Sequence, residues 1–301
     1  MRVDLGATLG AQSLQPLQSS DAEHTAQPTA SSQAAATTTE LYNTSGPNAG
    51  NPSLSDIHQG AYGDCYFLSS LGAVAQNDPN AVKNMIQDNG NGTYTVSFYQ
   101  KDNGVQNLWG LTGDSYAPVK VTVSAQDIAK NGVSEPGAAD GTVTDPANGK
   151  QVIWPAVMEA AYAKMNDSHF LWMDRGIQSG YQNIGGGGYP ENAMQTLTGQ
   201  DAQSINPGSS SAAKLLQQDF KAGKLITVST PESDGNQQGA ESGKNPYGLV
   251  GGHAYTVTNV YMHNGAEYVT LNNPWGFDQP NDIPVSQLSK VANDIAVGTV
   301  H

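Results

Sequence analysis

The sequence predicts an α+β fold in two lobes, a helical lobe followed by a β-rich one, on three observations. The only cysteine in 301 residues, Cys65, stands where an apolar helical pattern begins. A second stretch, Val152 to Met165, has the length and apolar spacing of a core helix. Late in the chain the period changes, and alternating segments rich in β-branched and aromatic residues lead away from His253 and up to Asn273.

Taken in order, residues from about Gln12 to Asn51 are dominated by Ser, Thr, Ala, Gln, Pro and Gly, too polar to build a core. Residues 1–52 are therefore expected to be a disordered tail, serving as a secretion leader or a pro-segment. The helical lobe is assigned to 53–200 and the β-rich lobe to 201–301. After Gly60 and Gly63, the set Tyr66, Phe67, Leu68, Leu71, Val74 and Ala75 recurs at helical spacing and puts Cys65 in the first turn. Tyr94–Tyr99 and Val119–Val123 alternate as strands, and Asn131–Lys150 reads as a surface loop. Gly185–Gly188 is followed by no Gly-Lys-Ser/Thr, so it is a connection before a Glu191–Leu197 helix rather than a phosphate loop. A helix at Ala212–Ala222 and a strand at Leu225–Val228 come next. The long loop Pro231–Gly251, with turns at Asp234-Gly, Ser242-Gly and Asn245-Pro, leads straight to His253 and is a candidate cleft lid. The strand after Gly251-Gly252 opens on His253, and the strand Glu267–Asn272 ends in Asn273-Pro-Trp275-Gly276.

Composition excludes some partners. Twenty-seven acidic against thirteen basic side chains give a formal charge of −14, which argues against nucleic acid or an anionic membrane as the main partner. No stretch reads as a transmembrane helix, and Met1–Gly10 lacks the continuous apolar core of a cleaved export signal. A single cysteine forms no intrachain disulfide. The chain is expected to act as a monomer, either in the cytoplasm or exported without a cleaved signal peptide.

Backbone N–H groups and the helix dipole at a first turn favour thiolate over thiol at Cys65. Asp64 beside it is placed to cap the helix, and its charge opposes the thiolate, so His253 must supply most of the activation. The order Cys, His, Asn is that of papain-like proteases, where a thiolate attacks a carbonyl, imidazole moves the proton and asparagine orients the ring. No Cys or acidic pair at metal-ligand spacing surrounds His169, which argues against zinc. His24 falls in the tail and His263 in a turn, and His58 is assigned to the surface or the rim of the cleft.

At these motifs the chain resembles the protease core of the calpain family. The matching segments are Gln59-Gly-x-x-Gly-Asp-Cys65-x-Phe-Leu, Ile153-Trp-Pro through Lys164, Gly187-Gly-x-x-Glu191 through Leu197-Thr-Gly199, Gly252-His253-Ala-Tyr-Thr-Val-Thr and Leu271-Asn-Asn273-Pro-Trp-Gly276. The resemblance implies a papain-like fold with Cys65 as nucleophile, His253 as general acid/base and Asn273 as its orienting partner. It implies Gln59 as an oxyanion-hole donor and Trp275 as a shield over the histidine–asparagine pair. Two departures stand out: Tyr66 replaces the usual tryptophan, and Phe277-Asp-Gln-Pro-Asn-Asp-Ile replaces a tryptophan-rich continuation. The chemistry needs no cofactor. Calcium is a candidate activator by resemblance, with Asp278 and Asp282 in the region where ligands would fall, although such a loop reads first as a solvated turn. The expected activity is cysteine endopeptidase action on protein or peptide substrates through a thioester acyl-enzyme, as in a secreted bacterial effector. The alternatives are acyl transfer of transglutaminase type and a non-catalytic interaction module. Direct His253–Asn273 contact further predicts a three- to five-residue loop around His263; a strict Asn264-Gly265 hairpin with no bulge would count against that contact.

Overall fold

A computed structural model of the chain describes residues 39–101, 115–130, 143–167, 177–232 and 245–300. His24, His169 and the Asp234-Gly and Ser242-Gly turns lie outside these residues, as does most of the candidate lid. The described residues open with strand β1 (Thr39–Glu40), helices α1 (Cys65–Asn77) and α2 (Pro79–Met85), and strands β2 (Ile86–Asp88), β3 (Thr93–Lys101) and β4 (Tyr116–Ser124). Helix α3 (Ala125–Lys130), strand β5 (Gln151–Val152) and helices α4 (Trp154–Met165), α5 (Ile177–Ile184) and α6 (Pro190–Thr198) follow. The remainder is β6 (Gln203–Ile205), α7 (Ala212–Lys221), β7 (Leu225–Ser229), β8 (Ala254–His263), β9 (Ala266–Asn272), β10 (Ile283–Pro284), α8 (Leu288–Val291) and β11 (Asp294–Gly298).

The first half packs its helices around aromatic rings and adds an antiparallel sheet ordered β2-β3-β4. Phe67 of α1 stacks on Tyr162 of α4 with centroids 4.0 Å apart, and Phe98 of β3 meets both rings edge-on. Every residue of α4 from Trp154 to Ala163 is buried. Its small side chains let α5 approach closely: a Cβ on Gly180 would lie 1.9 Å from the Ala163 carbonyl oxygen.

The second half is built on a six-stranded antiparallel sheet ordered β10-β9-β8-β7-β11-β6. One face buries Val228, Tyr255, Val257, Leu271 and Ile295 with Leu216 of α7. The other receives α1. Thr256 Oγ1 donates to the Ser69 carbonyl at 2.7 Å, and Gln76 Nε2 donates to the Val257 carbonyl at 3.2 Å. Gly72 permits that approach, because a Cβ there would stand 2.5 Å from Leu54 Cδ1 and 3.0 Å from Thr256 Oγ1. Residue alternation along β8 thus sends Tyr255 and Val257 into one core while Thr256 faces the helix that begins at Cys65.

Two expectations are corrected. Residues 39–52, assigned to a disordered tail, are held in place. β1 pairs in parallel with β5, and buried Asp145 accepts hydrogen bonds from the Thr44 N–H, the Thr44 and Ser45 hydroxyls and the Ala147 N–H. Composition measures whether a segment can build its own core, and this one is captured by a carboxylate elsewhere in the chain. The second correction is the turn. His263 pairs with Ala266 across a two-residue Asn264-Gly265 turn, both residues having positive φ, the geometry that matches strand twist. A bulge between Val257 and Asn259 then shifts the register by one.

Candidate active site

The segment entering α1 is fixed at both ends. Asp56 accepts from Trp154 Nε1 at 2.8 Å, from the Ser53 N–H at 2.9 Å and from Asn43 Nδ2 at 2.9 Å, tying the segment to α4. Burial pushes the Asp56 carboxyl above its ordinary range. Three residues on, the Gln59 N–H donates to the Pro274 carbonyl at 2.8 Å. The His58 ring lies under Gly276, where a Cβ would come within 2.6 Å of it. His58, assigned from sequence to the surface or rim, therefore packs against the turn that follows Asn273. The segment bearing the thiol and the turn bearing the asparagine are thus stitched together directly.

Cys65 opens α1 as expected and is buried. Its sulfur accepts a hydrogen bond from the backbone N–H of Ala254, the residue after His253. Burial opposes the thiolate that the helix terminus favours. Burial pushes the thiol up to about 11, outweighing the N–H groups that lower it, and the charge of Asp64 adds to the rise. Asp64 occupies the N-cap position but makes no side-chain cap bond, a second departure from expectation.

His253 is held through its backbone by Thr230 at the end of β7. Thr230 Oγ1 accepts from the His253 N–H at 3.0 Å and donates to the Val250 carbonyl, while the Thr230 N–H donates to the His253 carbonyl at 2.9 Å. Sequence reasoning missed Thr230, which carries no local signal because its partner is 23 residues away. The imidazole sits between Tyr255, met edge-on at 4.9 Å, and Trp275 at 4.8 Å. Its Nε2 is 2.9 Å from Asn273 Oδ1.

Asn273 is fully buried and its amide orientation follows from its partners. Oδ1 accepts from the Trp275 N–H at 3.1 Å, and Nδ2 donates to the Asp278 carbonyl at 3.2 Å. An accepting Oδ1 requires His253 Nε2 to carry the proton, which leaves Nδ1 as the basic nitrogen. The contact does not come from strand register. The chain leaves the sheet after Asn272 and turns at Asn273–Gly276, closed by a Gly276 N–H to Asn273 carbonyl bond of 3.1 Å.

Gln59 is buried and turned inward. Nε2 donates to the Tyr62 carbonyl at 2.6 Å and lies 3.4 Å from Asp64 Oδ1, and Oε1 has no partner among the described residues. Burial lowers the His253 pKa against the opposing effect of Asn273. Burial thus disfavours both the thiolate and the imidazolium, and no hydrogen bond joins sulfur and ring among the described residues.

The residues offered for calcium do not form a ligand set. Asp282 Oδ2 accepts from the Tyr261 hydroxyl at 2.6 Å, and Asp278 lies in an exposed turn with its carbonyl engaged by Asn273. Among the described residues no group of three or more His, Cys, Asp or Glu side chains is arranged to hold a metal ion. Nor is any described helix long and apolar enough to cross a membrane.

Comparison with known proteins places residues 36–283 in the family described as calpain family cysteine protease. Calpain-13 of Rattus norvegicus is 29% identical over 227 residues, which cover 73% of this chain and 29% of the relative. Calpain-9 of Homo sapiens is 25% identical over 238 residues, 75% of this chain and 29% of its own length. The calpain-type cysteine protease DEK1 of Zea mays is also 25% identical over 238 residues, 75% of this chain and 9% of its own. The chain thus spans under a third of the length of these curated relatives.

Proposed function

The chain belongs to the calpain family of cysteine proteases, and on that premise we propose that it is a cysteine endopeptidase in which Cys65, His253 and Asn273 act together on the peptide bonds of protein substrates. The observation that carries this reading is the buried His253–Asn273 hydrogen bond, formed one residue from the backbone N–H that touches the Cys65 sulfur.

His253 Nδ1 takes the thiol proton while Nε2 stays bonded to Asn273, so the imidazolium forms with its second N–H already satisfied. The thiolate attacks the substrate carbonyl. The Cys65 N–H, unpaired within a helix at its first position, supports the oxyanion. Gln59 supplies a second donor when its amide swings a proton from Asp64 toward the cleft, since the N–H held by Tyr62 is the tighter of the two. His253 then protonates the leaving amine, and water resolves the thioester by the reverse proton path. Trp275 covers the His253–Asn273 pair and limits competition from water. No step is routed through calcium.

Casein hydrolysis followed by mass spectrometry tests the reading. Wild type should release fragments and Cys65→Ala none. Cleavage that persists in Cys65→Ala, or transfer of an amine onto glutamine in place of hydrolysis, would refute it. The Ser, Thr, Ala and Gln content of residues 1–38 supports a further part of the reading, a bacterial effector delivered without a cleaved signal. A reporter fused to those residues should be exported, and its retention would count against delivery.

A further inference from the structure

Asp64 is wholly buried immediately before the thiol, yet its carboxyl neither caps α1 nor meets a cation. Among the described residues its one side-chain hydrogen bond is with Gln59 Nε2 at 3.4 Å, and two oxygens in this interior, Asp64 Oδ2 and Gln59 Oε1, have no partner there. Two buried acceptors left over beside one shared donor is the pattern expected when a proton is missing. The titratable groups that face Asp64 are Cys65 and Tyr66 on α1 and Tyr162 on α4, and each gains a negative neighbour when Asp64 ionises.

We propose that Asp64 is a positioning residue that works in its neutral form, its protonated carboxyl paired with the Gln59 side-chain amide so that the amide is set for the oxyanion and no negative charge stands beside Cys65. The pairing places an O–H from Oδ2 on Gln59 Oε1, satisfying both orphaned oxygens with one proton and anchoring the amide, while the N–H that lies 3.4 Å from Oδ1 stays weakly held and is the one released to the oxyanion. Burial agrees, raising the Asp64 carboxyl to about 8. The inference rests on the reading of Cys65 as nucleophile, and it adds a consequence. Above about pH 8 ionised Asp64 opposes the thiolate, no longer anchors Gln59 Oε1, and holds as a carboxylate the Nε2 N–H that the oxyanion needs, so nucleophile and oxyanion donor weaken together.

The test is alkylation of the lone cysteine by iodoacetamide across pH, read by intact mass on the full chain, with peptide turnover measured alongside. In Asp64→Asn the new amide pairs with Gln59 at every pH and carries no charge. Its Cys65 should alkylate about tenfold faster than wild type near pH 9 and equally near pH 6. Asp64→Ala removes both charge and partner. It should share the alkylation gain but lose about tenfold in kcat at unchanged KM, a loss that Asp64→Asn restores. Identical alkylation profiles in all three proteins, or full turnover in Asp64→Ala, would overturn the proposal. If neither variant folds, isotope-edited infrared spectra of the wild type decide. A carboxylic-acid carbonyl band present near pH 6 and gone by about pH 9 supports the assignment, and its absence near pH 6 overturns it. Alkylation needs no proteolysis, so a wild type that alkylates as described yet cleaves nothing would sink the protease reading and leave the Asp64 assignment standing.

Discussion

Replacing Asn273 by alanine removes three hydrogen bonds from a fully buried position, those to His253 Nε2, to the Trp275 N–H and to the Asp278 carbonyl. Only the first bears on the chemistry. It becomes charge-assisted when His253 takes the thiol proton, and such bonds contribute about 1.5–3 kcal/mol, so its loss should lower kcat/KM by roughly 10- to 100-fold. The loss should stop there. Tyr255 and Trp275 still hold the ring from both sides, so the imidazole is loosened and not released. The other two bonds set a stability penalty, about 2 kcal/mol for groups left partly to water. The assay is hydrolysis of an internally quenched peptide under kcat/KM conditions, with thermal unfolding of the same preparations. Activity within twofold of wild type would show that Asn273 does not orient His253. Activity as absent as in Cys65→Ala, in a variant that still melts cooperatively, would show that Asn273 does more than orient the ring.

Three further outcomes follow from the same geometry. Gln59→Ala should lower kcat about a hundredfold, the effect of removing one oxyanion donor worth roughly 3 kcal/mol, in a chain that still melts cooperatively; an unchanged kcat would remove Gln59 from the reaction. Gly180→Ala should destabilise the chain by about 2 kcal/mol or more, because its Cβ meets the Ala163 carbonyl oxygen at 1.9 Å and only separation of α5 from α4 relieves it, whereas a melt unchanged from wild type would mean the two helices are not so close. Stability should also bend with pH in two places. The folded chain keeps the Asp64 proton up to about pH 8 while the unfolded chain loses it near 3.8, so stability falls as pH rises between those values. His253 has its pKa lowered by folding, so the unfolded chain binds more protons below about 6.5 and stability falls as pH drops through that window. Melting temperatures of wild type and Asp64→Asn from about pH 5 to 9 check this, since the variant should lose the decline that Asp64 causes up to about pH 8, and an identical decline in both would contradict it.

The parts of this fold that were legible in the sequence are those written as hydrophobic period. The apolar spacing after Cys65 placed the start of α1 at the thiol, and the alternation after His253 located β8 and β9 with the asparagine turn beyond them. The same reading placed α4, because its buried stretch is long enough to exclude a strand. What escaped was written in tertiary terms. Thr44 and Ser45 look like tail residues until Asp145, about a hundred positions away, accepts their hydrogen bonds. The run Asp294–Gly298 is short and shows no alternation, yet β11 fills the place between β7 and β6. The turn was misjudged because strand register was assumed to deliver Asn273, whereas the chain leaves the sheet and brings it back. At Cys65 the first helical turn, a local quantity, favours the thiolate, whereas burial, which only the packed lobes create, opposes it and leaves activation to His253.

The central claim is that Cys65 is a nucleophile served by His253. Incubation of the full chain with a thiol-reactive peptidyl epoxide, followed by intact-mass and peptide mapping, tests it most directly. A single adduct on Cys65, formed many times faster in wild type than in His253→Ala at neutral pH, is the result this account predicts. Labelling of Cys65 at the same slow rate in both proteins would mean that the thiol is a buried core cysteine and would contradict the account.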